Sequence, residues 1–172
     1  MSLLESPWVD ALTLSAQQLV LALRKQKLML STAESCTGGY IAEVITRIPG
    51  ASQVYLGGIV GYTNGVKERV LHVPHEILET YGAVSEQTAS AMAESAVEAT
   101  DSDLAVSVTG LAGPDGDDRG NPIGTVFIAL AHKGHYTRIY QLPQLEGSRD
   151  EIRRRVVSEV LSLVRRYLEE LL

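Results

Sequence analysis

The sequence predicts an α/β fold, a three-layer α/β/α sandwich around a mixed, mostly parallel sheet. Three observations lead there. Segments with helical spacing of apolar residues alternate with short, β-branched or wholly apolar runs through the first two thirds of the chain, the pattern of helices covering a parallel sheet. Two strand-like runs near the end are separated only by a short polar turn, which adds a hairpin and makes the sheet mixed. No internal repeat, low-complexity tract or linker interrupts the 172 residues, so residues 1–172 are expected to form one domain.

The elements follow in chain order. Residues 15–26, SAQQLVLALRKQ, place Leu19, Leu21, Ala22 and Leu23 apart from Gln17, Gln18, Arg24 and Lys25, and Ser15 is a candidate cap. The apolar run 27–33 reads as a buried strand, the hydroxyl-rich SCTGG as a turn, and 39–48 as a helix broken by IPGAS. VYLGGIVGYT (54–63) suits a strand; Asn64 can cap a helix over 64–73, and Pro74 can open another through HEILETYG. Ser85 can cap an alanine-rich helix over 85–100, DLAVSVTG (103–110) reads as a strand, and 111–122 is a polar loop. A hairpin turning at Lys133–His135 follows. The last segment, 148–172, is a long amphipathic helix with Ile152, Val156, Val160, Leu163 and Leu171 toward the core.

Composition narrows the function classes. Hydrophobic residues make up 45% of the chain and mean hydropathy is +0.05, which fits a packed core. A net charge of −6 and a pI near 5.2 argue against a general nucleic-acid binder. A single cysteine, Cys36, cannot form an internal disulfide, and there is no zinc-type Cys/His spacing, so no metal site is expected. The N-terminal stretch lacks the order of a signal peptide and no apolar run is long enough to cross a bilayer. The expected setting is cytoplasmic, without membrane or nucleic-acid partners.

Three loops carry the chemistry, and each follows a predicted strand: SCTGG, YTNGVK and TGLAGPDG. In an open α/β sheet such loops gather at the carboxyl ends of parallel strands. In the first, Ser35 can be a nucleophile or a capping hydroxyl, and the glycines let backbone amides face an anion or a developing oxyanion. In the second, Lys67 in the first turn of a helix can lose its proton through burial and the helix dipole, and so serve Ser35 as base, with Tyr62 as relay. A solvated Lys67 and a core Tyr62 are the structural alternative. In the third, Gly110, Ala112 and Gly113 allow close approach of a ligand, while the acids 115, 117 and 118 lack calcium-loop spacing and read as a solvated tip. Arg149 stands at the start of the last helix, one turn from Arg153, and suits a phosphate or carboxylate. Cys36 is a rival nucleophile without a nearby histidine base.

Taken together, TAESCTGG, GGIVGYTNGVKERVLHV, YGAVSEQTASAMAESA, VSVTGLAGPDG followed by PIGTVFIAL, and GSRDEIRRRVV resemble, in this order, the CinA C-terminal domain family, over residues 10–170. The resemblance is to the stand-alone form, whose characterised enzymes are nicotinamide-nucleotide amidases. It implies hydrolysis of nicotinamide mononucleotide to nicotinic acid mononucleotide and ammonia, without metal or other cofactor, by a homo-oligomer. By position it implies Ser35 as nucleophile with Tyr62 and Lys67 activating it. It further implies Cys36, Thr37, Gly38, Gly39, Thr109, Gly110, Ala112, Gly113 and Arg149 as substrate-binding residues. Ser148, where the family usually carries an aspartate or similar residue, is a departure. Some members keep the fold without the activity, which makes a silent pyridine-nucleotide-binding module the alternative.

Overall fold

The computed structural model describes residues 10–172. Among these residues five strands form one sheet in the order β2-β1-β3-β4-β5: β1 (Leu30–Glu34), β2 (Tyr55–Val60), β3 (Leu104–Gly110), β4 (Val126–His132) and β5 (Arg138–Gln141). The first three are parallel, and β4 and β5 run antiparallel to their neighbours. Among the described residues six α-helices cover the sheet: α1 (Ala11–Gln26), α2 (Tyr40–Thr46), α3 (Asn64–Arg69), α4 (His75–Tyr81), α5 (Glu86–Thr100) and α6 (Arg149–Glu170). This is the expected three-layer sandwich. Among the described residues no helix is long and apolar enough to cross a membrane.

Strand alternation divides the core into two clusters. Leu30, Leu104, Val106, Val108, Val126, Ile128 and Leu130 face α1, α2 and α6, where Leu19, Leu23, Ile41, Val156 and Val160 meet them. The opposite face is built of Ala33, Ala105, Phe127, Ala129 and Ala131 against the alanine-rich side of α5. Small side chains on both surfaces seat α5 on the sheet, and Ser107 Oγ donates to the Ala89 carbonyl at 2.5 Å to fix it there.

Element limits shift where caps decide them. Helix α1 starts before Ser15, because the Asp10 carboxylate accepts from both the Thr13 amide and hydroxyl at 2.9 Å. Lys27 takes a left-handed C-cap, so β1 begins three residues later than expected. Thr63, not Asn64, caps α3, which ends at Arg69. Ser85 caps α5 as read from the sequence. Two apolar residues are misassigned by periodicity alone: Leu21 is exposed, and Leu171, just past the last helical turn, is 40% exposed.

Register positions the site. Glu34 is level with Val60 on one side and Val108 on the other, so Ser35, Gly61 and Thr109 stand in one row, the first two just past their strands and Thr109 near the end of the pairing of β3 with β4. An irregularity in β2 produces that alignment: Leu30 pairs with Tyr55 but Ser31 pairs with Gly57, leaving Leu56 unpaired. Gly57 accommodates this extra residue at φ +141°, where a side chain would be strained. The chain runs from β1 to β2 on one side and returns to β3 on the other, so the row lies at a topological switch point.

Ser148 begins α6 with a reciprocal capping box: it accepts from the Glu151 amide while Glu151 accepts from the Ser148 amide at 2.8 Å. Ser148→Ala is expected to cost about 1 kcal/mol and to lower Tm by roughly 2–4 °C; thermal unfolding followed by circular dichroism checks this.

Candidate active site

The three loops converge. Lys67 Nζ lies 3.0 Å from Ser35 Oγ and 2.8 Å from the Gly61 carbonyl oxygen. Lys67 is 1% exposed, the largest fully buried side chain among the described residues, while Ser35 is 8% exposed and opens onto a cleft of about 290 Å³. Burial lowers the Lys67 amine from 10.5 to about 8, with Cys36 pulling weakly the other way. No acid is within salt-bridge distance of Lys67 among the described residues, so nothing holds its charge. A neutral amine here can donate to Gly61 and accept the Ser35 proton through its lone pair. Direct contact between a hydroxyl and a buried amine is the geometry that a nucleophile and its base require.

Each partner is held by the backbone. The Ser35 amide donates to the Val108 carbonyl at 3.0 Å, and the Gly61 amide to the Glu34 carbonyl at 2.8 Å. Lys67 rises from the first turn of α3, its amide bonded to the Thr63 carbonyl at 3.0 Å. Gly61 must lack a side chain: a Cβ would fall 2.7 Å from Leu71 Cδ1 and 3.4 Å from Lys67 Cγ. The glycine therefore both bonds the amine and makes room for its stem.

Tyr62 sits at the cleft mouth, not beside the base. It is 55% exposed, and its hydroxyl accepts from Arg149 Nη2 at 2.9 Å; no hydrogen bond joins it to Lys67 or Ser35. The amine reaches Ser35 directly, without the tyrosine between them. Arg149 also donates to the Gly113 carbonyl at 2.5 Å, spanning the mouth from the second loop to the third. Thr109, Gly110, Ala112 and Gly113 line the cleft with Cys36, and so does Asp115, which the sequence left as part of a solvated tip. Asp117 instead folds the loop on itself through the Arg119 and Asn121 amides.

The glycine turn differs from its expected role. Thr37, Gly38 and Gly39 do not line the cleft. The Glu34 carboxylate, missed at the sequence level, takes the Thr37 hydroxyl and the Gly39 amide, and the Gly38 amide donates to the Ser35 carbonyl. An oxyanion or phosphate at the Gly38 or Gly39 amide or the Thr37 hydroxyl would have to displace these bonds. Arg153, recognised only as sharing a helix face with Arg149, donates to the Thr37 carbonyl at 2.8 Å.

Cys36 is disfavoured as nucleophile. It is buried, and desolvation, helped by the neighbouring Glu34 charge, pushes its thiol up to about 12. A larger hollow of about 490 Å³ lies at the other end of the sheet, beside stacked His132 and His135. Its Lys133 and Thr137 are already bonded to Asp101 and Glu94, and it holds no nucleophile–base pair. Among the described residues no group of three or more His, Cys, Asp or Glu could hold a metal ion.

The geometry makes Gly61→Ala an informative variant. It should remain folded by circular dichroism yet lower the rate of covalent labelling of Ser35 by a fluorophosphonate, read by mass spectrometry, at least tenfold, because the Lys67 stem is displaced.

Residues 13–168 match the CinA C-terminal domain family. A protein described as a putative competence-damage inducible protein, from Desulforudis audaxviator, is 47% identical over 146 residues, covering 85% of this chain and 35% of that protein. The chain thus spans about a third of the length of such curated relatives. The crystal structure of a competence-damaged protein (CinA) superfamily protein from Klebsiella pneumoniae superposes with a TM-score of 0.90 at 27% identity, over 94% of this chain and 99% of that one. The competence/damage inducible protein CihA from Agrobacterium tumefaciens does so with a TM-score of 0.81 at 38% identity, over 96% of each chain. With the alternating sequence, the five-stranded sheet and these matches in agreement, the chain belongs to the CinA C-terminal domain family.

Proposed function

We propose that this chain is a nicotinamide-nucleotide amidase, hydrolysing the carboxamide of nicotinamide mononucleotide to nicotinic acid mononucleotide and ammonia. The observation that supports a hydrolase over a silent binding module is the buried Lys67 amine 3.0 Å from Ser35 Oγ. A ligand-binding loop has no use for a desolvated lysine aimed at a serine.

In this reading Ser35 Oγ attacks the carboxamide carbon as Lys67 takes its proton. The tetrahedral oxyanion meets backbone amides, for which Cys36 and Ala112 are the candidates: both residues line the cleft, and their amides have no backbone acceptor among the described residues. The C–N bond then breaks, and Lys67 returns the proton to the leaving nitrogen, releasing ammonia. Water, deprotonated by Lys67, attacks the acyl-enzyme and frees Ser35 and the carboxylate product. Arg149, at the mouth, meets the substrate phosphate, and the apolar and glycine-lined wall of the third loop meets the ring and ribose.

Ammonia release from nicotinamide mononucleotide is the primary test. Wild type should release it and Ser35→Ala should not, while keeping its fold; equal release by both would remove the nucleophile. The rate kcat/KM should rise with pH through about 8, since the protonated amine below that value cannot act as base, and should level off above it. Arg149→Ala should raise KM for the mononucleotide at least tenfold more than for the riboside lacking phosphate, measured by the same assay.

A further inference from the structure

Glu34 closes β1 and is 1% exposed, in a strand whose other residues are all buried. A buried acid at such a place calls for partners. It has four: Oε2 accepts from the Thr37 hydroxyl at 2.7 Å and from the Gly39 and Ile41 amides at 3.0 Å each, and Oε1 accepts from the Ala42 amide at 2.9 Å. Every partner donates, and three are backbone amides at the entry to α2. Gly38 and Gly39, at φ +60° and +94°, bend the chain so that these donors face inward. The entry to this helix therefore carries its anion within the protein, and that anion is the residue immediately before Ser35.

The same residue fixes the other half of the pair. Its carbonyl accepts the Gly61 amide, and the Gly61 carbonyl accepts from Lys67. Glu34 is absent from the cleft wall.

We propose that Glu34 is a positioning residue for Ser35: its carboxylate ties the nucleophile turn to the start of α2 and fills the place where that turn would otherwise take an anionic group of the substrate. Charge-assisted bonds hold the turn from inside, and Arg153 holds the Thr37 carbonyl from outside. Misplacing a nucleophile by about 1 Å can cost on the order of 100-fold in rate. Loss of the carboxylate should therefore slow acylation and leave substrate affinity alone. The proposal rests on Ser35 being the nucleophile, and not on which amide it cleaves.

Glu34→Gln tests it. One amide oxygen can keep the three donors at Oε2, while the amide nitrogen meets the Ala42 amide donor to donor. Fluorophosphonate labelling of Ser35 should slow at least tenfold and kcat for nicotinamide mononucleotide should fall alike. KM should stay within twofold, and the pH limb near 8 should stay in place, since Glu34 is not among the groups that set the Lys67 titration. Glu34→Asp keeps the charge one methylene short; it should slow labelling at least threefold, and it serves as the reading if the glutamine variant does not fold. Labelling within twofold of wild type by either folded variant, or a raised KM with kcat unchanged, overturns the proposal. So does a wild type whose Ser35 is not labelled at all. Labelling that depends on Glu34 in a protein releasing no ammonia would sustain the positioning role and reject the amidase.

Discussion

The structure turns on a lysine amine removed from water. An ammonium at Lys67 has a hydroxyl and a carbonyl for neighbours and no carboxylate, so burial is uncompensated and the proton is lost near pH 8 instead of 10.5. The consequence for stability has a definite sign. The unfolded chain keeps this proton up to about 10.5, so between the two values the unfolded state binds more protons and folded-state stability rises with pH. Below about 8 the buried amine carries its charge with no carboxylate beside it, which makes the residue a burden to the fold near neutrality.

Everything around Lys67 serves to keep it there. A one-residue bulge at Leu56 sets β2 so that Gly61 stands beside Ser35, and three parallel strands deliver their loops at one level. The Gly61 carbonyl gives the amine an acceptor, and its missing side chain gives the stem a path. Helix α6 supplies the outer frame, with Arg149 across the mouth and Arg153 against the turn that follows Ser35. The charged groups of the cleft are thereby sorted by depth, with the neutralisable amine inside and the permanent cation at the rim.

Much of this was legible in the sequence, for physical reasons. Alternating helical and strand periods fixed the layers, and three polar loops after predicted strands identified the cleft, because parallel strands must end on one side. Nine of the expected site residues line it: Ser35, Cys36, Tyr62, Lys67, Thr109, Gly110, Ala112, Gly113 and Arg149. Long-range geometry was not legible. Glycines and a helix start looked like an anion site at Thr37–Gly39 because local pattern cannot reveal that a strand-end glutamate folds back to fill it. The acid in a run of buried residues was the available signal. Tyr62 looked like a relay because spacing cannot tell a tyrosine facing the base from one facing the mouth. Leu171 followed the apolar period but fell beyond the last turn that touches the sheet.

The state of the Lys67 amine can be observed without reference to any substrate. Selective carbon-13 labelling of lysine and NMR titration of the Cε resonances, with Lys67→Met to assign the signal, gives its titration midpoint directly. A midpoint near 8 is expected, well separated from the other lysines. A midpoint near 10.5 would place a permanently charged ammonium beside Ser35 and contradict its role as the base.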